Sequence, residues 1–293
     1  NAMTRFSHRI GVTPQLTSIQ VDSMTDELRN SLWNLLHDLY EGRQEYWLGV
    51  AAHVAKYLRK VPVDDLPSHD FQCRDWMKKY IYGLPWYGVY DLIEFIVHNH
   101  ETMTTERISH SRVSTHRVKT MQLVEAVNNI LERELSGYRF IDGILAPVSN
   151  KTEVETIEAA ITAAQASGLK GASMHIHSSI ELLGKKPMPD YRNAIKEAIS
   201  AVESVAKQIV GDDSATLDGA LKELSDKSDV HGALRAAFSK LYGYTSDESG
   251  IRHAILEEPN VGFAEAKYMV VSCSAFVHYL IQKAESAGLL KKK

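Results

Sequence analysis

From Thr25 onward, apolar residues recur every three or four positions. Leu28, Leu32, Leu35, Leu36, Leu39 and Tyr40 make one face, the pattern of an amphipathic helix, and Asp26 and Glu27 favour its N-terminus electrostatically. The same reading predicts helices over 46–59, ended by Pro62, and over 71–83 and 86–98, divided by Leu84-Pro85. A further helix over 118–135 has Gly137 as its expected C-cap. Residues 4–22, which include Pro14, predict an irregular or short extended arm. At Tyr138–Val148 the period changes. β-prone residues flank Asp142-Gly143, whose two positions both accept positive φ, the strongest short hairpin signal. Two strands alone are marginal, so this hairpin should lie against helices, as a joint between two helical domains.

Beyond it, helices are predicted over 151–166, 170–183, 190–210, 215–224, 230–242 and 263–287. Asp190-Tyr191-Arg192-Asn193 supplies a start signal after Pro187 and Pro189. The buried stripe that follows is rich in small residues: Ala194, Ile195, Ala198, Ile199, Val202, Val205, Ala206 and Ile209. A similar stripe runs through the last helix in Ala266, Met269, Val270, Cys273, Phe276, Val277, Leu280 and Ile281. The fold class is mostly α: two helical domains, 4–150 and 151–293, joined by a small β-hairpin, the second a helical bundle.

Composition narrows the function classes. The 293 residues are 44% hydrophobic and 24% charged, with a formal charge of -4. That is ordinary globular material without the global basic field of a duplex-DNA binder; a local basic groove or an encounter with RNA stays open. Cys73 and Cys273 lie far apart in apolar surroundings and read as reduced thiols. No apolar run reaches the roughly 18–20 residues that span a bilayer, and no signal peptide is expected. Asn1-Ala2-Met3 reads as a cloning remnant. These features imply a soluble cytoplasmic protein, bacterial in character, with no membrane partner. Trp33, Trp47, Trp76 and Trp86 cluster in the first half, and buried aromatics carry so much core area that core is favoured over a binding box.

Arg252 and His253 stand adjacent in a glycine-flanked polar stretch, Tyr242–Ala254, ahead of the last apolar helix. Pro259 and Gly262 prevent that helix from extending back through them without a break or kink. A guanidinium holds phosphate with a planar fork, and an imidazole moves protons near neutrality. Metal-free RNA cleavage needs those two capacities. Glu203, in the stripe beside Val202, is a candidate to orient Arg252, and Asn193, Lys196 and Glu197 are polar residues near the start of the same helix. The structural alternative is a capping turn or a Glu203–Arg252 ion pair that only holds the fold. His175 and His177 would share a face on a strand, but on a helix, favoured here, they point about 200° apart. No acidic or cysteine ligand completes them, so neither a metal nor a cofactor is expected. Glu106–Lys119 concentrates Arg107, Arg112 and His116 with hydroxyls. A phosphate-binding strip is one reading; a solvated loop and helix start is the favoured one. Gly-rich phosphate loops, His-Glu-x-x-His helices and Gly-x-Ser-x-Gly turns are absent.

The stretch from Arg5-Phe6-Ser7-His8-Arg9-Ile10-Gly11 through the Trp/Tyr-rich helices to the hairpin resembles the N-terminal domains of AbiJ-like abortive-infection proteins. Asp190–Glu203 and Gly250-Ile251-Arg252-His253-Ala254 look like the HEPN-type helical domain fused to them. The resemblance implies a phage-defence protein: an N-terminal sensor or regulatory module, and a C-terminal four- to five-helix effector, often dimeric. Many HEPN domains are metal-independent ribonucleases with an Arg-x(4–6)-His motif. Carried over, Arg252 is the arginine and His253 the histidine, although here they are adjacent. Arg112 and His116 come closer in spacing but precede the second domain. The implied partners are RNA, a phage-derived or host trigger, and a second copy of the chain, with Asn193, Lys196, Arg107 and Arg112 as RNA contacts. The alternative is a non-catalytic HEPN-like module that binds RNA or protein.

Overall fold

Mostly helical architecture with one small sheet follows from these periodicities. The computed structural model describes residues 6–10, 12, 18–40, 46–105, 120–185, 188–227, 231–246 and 261–290. The chain divides into two compact units, Asn1–Ser149 and Asn150–Lys293.

The first unit contains a single helical turn, α1 (Phe6–Arg9), where an irregular arm was expected, and then α2 (Asp26–Tyr40). Next, α3 (Tyr46–His53) runs into a π-helical segment, Val54–Arg59. It is followed by α4 (Asp70–Gly83), α5 (Trp86–Thr105) and α6 (Thr120–Arg133). The predicted apolar faces are the ones buried: Leu28, Leu32 and Leu36 of α2 pack with Trp47, Met77, Ile81, Ile93 and Leu123. Trp33 and Trp47 stack inside this core with ring centroids 5.4 Å apart, while Trp76 and Trp86 pack partly buried against it.

Strands β1 (Arg139–Ile141) and β2 (Ile144–Ala146) pair antiparallel, with Ile141 opposite Ile144. Asp142 and Gly143 take φ of 45° and 87°, the two positive values the turn requires. As expected, the hairpin lies against helices. Asn128 of α6 brackets Phe140, its amide donating to the Phe140 carbonyl at 3.0 Å and its oxygen accepting from the Phe140 N–H at 2.8 Å. Glu94 of α5 accepts from the Leu145 N–H at 2.9 Å.

The end of α6 departs from expectation. Leu135, not Gly137, takes the left-handed position, φ 54°. Ser136 N–H bonds to the Leu131 carbonyl (2.8 Å) and Leu135 N–H to that of Glu132 (3.1 Å), a Schellman closure. Gly137 serves another need: a Cβ there would stand 3.1 Å from the Gln20 carbonyl oxygen, which accepts from the Gly137 N–H at 2.8 Å. Gln20 is buried and uses every polar group it has. Its N–H bonds to the Leu135 carbonyl, its side-chain amide to the Glu134 carbonyl, and its side-chain oxygen accepts from Thr25 N–H.

The second unit comprises α7 (Lys151–Ala166), α8 (Lys170–Gly184), α9 (Tyr191–Val210), α10 (Leu217–Lys227), α11 (Gly232–Ser246) and α12 (Phe263–Ser286). Lys267 pairs with Glu153 at 3.0 Å, and Ser167 donates to Glu285 at 2.7 Å, so α7 and α12 run parallel. Tyr191 meets Phe263 at the start of α9 and α12, which are therefore parallel as well. α8 is antiparallel to α9; a Cβ at Gly171 would stand 2.8 Å from Ser204 Oγ, which shows how closely the two helices approach. Two parallel neighbours need a return connection, and α10 and α11 supply it, as in bundles with a crossover. Among the described residues no helix is long and apolar enough to cross a membrane.

All four tryptophans lie in the first unit, so their emission reports on it alone. Asn128→Ala leaves the Phe140 peptide groups without partners, and the expected cost is about 1–3 kcal/mol. The urea midpoint followed by tryptophan emission should fall accordingly; an unchanged midpoint would show that the bracket contributes nothing.

Candidate functional site

Helix α9 is the element on which the candidate residues converge. Its apolar stripe, the predicted residues together with Ala201, is buried against α8, α10 and α12. Only a polar strip remains outside. At 3.6 residues per turn, Glu197 and Glu203 stand about 120° apart at the two edges of that strip. Each carboxylate is held by a different helix.

On the α8 side, Glu197 Oε2 lies 2.7 Å from His175 Nδ1, both half-buried. A carboxylate can only accept, so the Nδ1 proton faces Glu197 and, in the neutral ring, the Nε2 lone pair is directed elsewhere. His175 and His177 do sit on a helix and diverge. Among the described residues no group of three His, Cys, Asp or Glu side chains is placed to hold a metal.

On the other edge, Tyr242 Oη of α11 donates to Glu203 Oε1 at 2.5 Å. This bond fastens α11 to α9, and Ser239 Oγ fastens it to Asp218 of α10 at 2.6 Å. Phe238 stacks on Phe276. Beneath α11 lies a small apolar hollow lined by Ile199, Val202, Phe238, Tyr242, Met269 and Cys273. Burial pushes the Cys273 thiol up to about 12. A carboxylate has about four acceptor positions, so Glu203 can hold Tyr242 and still receive a guanidinium.

Asn193 is exposed in the first turn of α9, and its work there is local. Its side-chain amide donates to Asp190 Oδ2 at 2.8 Å and its N–H to Asp190 Oδ1 at 3.1 Å. The Asn193 amide, with its N–H and the nearby Lys185 and Arg192, holds the Asp190 carboxyl below the usual carboxylate range. Lys196 is exposed, one heptad before Glu203 and so about 20° from it around α9. Arg252 and His253, like Arg107 and Arg112, lie outside the described residues.

Neither the Glu203–Tyr242 nor the His175–Glu197 contact was read from the sequence. Partners 39 and 22 positions apart meet only through helix packing. One signal was available for the second: His175 and Glu197 lie almost equally far from the segment joining antiparallel α8 and α9.

Tyr242→Phe removes the bond to Glu203 and loosens α11 over Cys273. Alkylation of Cys273 at pH 8, slow in the intact protein because the thiol is buried and protonated, should quicken several-fold; equal rates would mean the bond does not hold α11. The Asp190 cap gives a pH signature. Its folded value lies below that of the unfolded chain, so its stabilisation is complete above about pH 4 and is lost as pH falls through the folded value. Asp190→Asn should therefore differ from the parent in urea stability by far-UV circular dichroism at pH 7, and the two should converge in acid.

Residues 4–163 match the family AbiJ N-terminal domain 4. The match takes in the first unit and continues into α7 of the second. No curated protein and no solved structure matched the chain. Because the family covers more than half of the sequence, the chain belongs to the AbiJ N-terminal domain 4 family and is thereby associated with abortive infection, the bacterial defence against phage.

Proposed function

We propose that the protein is a cytoplasmic abortive-infection factor in which residues 4–150 sense or regulate and residues 151–293 act as a HEPN-like, metal-independent ribonuclease. The first half of this reading is supported by the family match. The observation that carries the second is the Glu203 carboxylate, held at the edge of α9 by Tyr242, ten residues before Arg252 in the chain.

In this reading His253 moves the proton. The ribose 2′-OH loses a proton and its oxygen bonds to phosphorus, the bond to the 5′-oxygen breaks, and that oxygen takes up a proton. The products are a 2′,3′-cyclic phosphate and a 5′-hydroxyl. Arg252 stabilises the charge on the phosphoryl oxygens and Glu203 orients Arg252. Lys196 supplies a phosphate contact from the same edge of α9, and Asn193 contributes only as far as its bonds to Asp190 allow. Two copies related by a two-fold axis would bring their Arg252-His253 segments together, after a phage-derived or host trigger acts.

The adjacency of Arg252 and His253 favours a second reading, a HEPN-like module that binds RNA or protein without cleaving it. One experiment separates them: total-RNA integrity in infected and uninfected cells expressing the intact protein, Arg252→Ala, His253→Ala or Glu203→Gln. The ribonuclease reading expects cleavage by the intact protein. It expects about 10²–10⁴-fold less with His253→Ala, and a loss with the other two variants at unchanged helical content. Intact RNA in every case moves the assignment to the binding module.

A further inference from the structure

A second surface, in the first unit, has equipment that the ribonuclease reading does not use. It begins with the π-helical segment Val54–Arg59. Widening the helical turn changes where the following side chains point. The segment closes with Lys60 in the left-handed region (φ 54°), where the N–H groups of Lys60 and Val61 both bond to the Ala55 carbonyl. Val54 and Ala55 are fully buried, whereas Lys56, Tyr57, Arg59 and Lys60 are exposed.

Arg59 does not project freely into water. Its guanidinium carbon lies 5.0 Å from the centre of the Trp76 ring and 4.7 Å from that of Tyr80. Those two rings stack on each other at 5.9 Å with 28° between planes. One turn earlier, Lys56 Nζ lies 4.9 Å over the ring of Tyr57, a residue 53% exposed. Lys79, next to Tyr80 on α4, is exposed as well. Among the described residues none of these four cations is in an ion pair, whereas Arg74 nearby is matched by Asp75. Asp91 acts on Tyr80, and Asp64 and Asp65 follow in the next turn; they reduce the local positive field without pairing to it.

Unpaired cations next to partly exposed ring faces make a particular kind of receptor. A phosphate backbone supplies the matching charge. Unpaired bases stack on aromatic rings and on arginine planes, whereas bases in a duplex keep their faces covered. A protein surface would answer the charge but not the stacked geometry. We propose that this face of the first unit binds single-stranded nucleic acid. Arg59, on its Trp76–Tyr80 support, and Tyr57 receive bases, while Lys56, Lys60 and Lys79 receive phosphates. The proposal is independent of cleavage by the second unit.

The test is fluorescence anisotropy with the full chain carrying His253→Ala, so that binding is read without cleavage. The probe is a labelled oligouridylate of about twelve nucleotides, within the usual single-strand site sizes, in about 50 mM salt, where phosphate contacts are strong. Arg59→Ala should weaken binding about tenfold. Arg59→Lys, which keeps the charge and loses the plane, should weaken it by a similar factor. Lys56→Ala with Lys79→Ala should lower the steepness of the salt dependence by about one to two. An oligothymidylate showing the same dependence on these variants supports the same surface. The proposal is overturned if the parent does not bind, if Arg59→Lys binds like the parent, or if a duplex competes as well as a single strand. Tryptophan emission checks the fold of each variant; if Arg59→Ala does not fold, the exposed lysine variants and Arg59→Lys carry the test.

Discussion

Every peptide group that leaves a helix or strand in the interior has to find a hydrogen-bond partner, and this requirement places more of the polar side chains here than any chemistry does. Gln20 gives all of its polar groups to backbone. Asn128 serves both groups of Phe140, and Arg29 donates to the carbonyls of Ile81 and Leu84 where α4 gives way to α5. In the second unit Asn150, Asp190 and Glu265 do the same at the first turns of α7, α9 and α12. The starts of three parallel helices are thus satisfied by the protein's own acceptors, which leaves less for a ligand to do there.

This constraint sorts the candidate residues. Asn193 is committed to Asp190, so its polarity is no sign of an RNA contact. Glu203 is different, because no helix end requires it; it joins α9 to α11 at the edge of the polar strip. His175 and Glu197 do a comparable job between α8 and α9. Three helices wrapped around one small-residue stripe leave α9 only these edges on which to display function.

Much of this was legible in the chain because it is local. Three- and four-residue spacing in Leu28–Tyr40 and in Ala266–Ile281 is a property of each helix alone, and those faces are the buried ones. Asp142-Gly143 fixes its turn through two backbone conformations. What sequence pattern did not reveal depends on registers set elsewhere. Leu135 took the left-handed position that Gly137 was expected to fill, because Gly137 was needed where Gln20 approaches. The π-wound turn after His53 has the same apolar spacing as an α-helix over so few residues. Tyr242 reaches Glu203 only once α10 and α11 have folded back over α9.

The family match stops at residue 163, inside α7, and not at the boundary between compact units near residue 149. Homology and folding therefore have different seams. The inherited segment carries the first helix of the following bundle, with a face of Val154, Ile157, Ala160, Ile161 and Ala164 that α8 and α12 cover. Exchange of effectors by recombination at the homology seam would succeed only with newcomers shaped to receive α7. A graft made at the folding seam would discard that helix and be free of the restriction. Diversity downstream of this family is in that sense limited by the groove one helix demands.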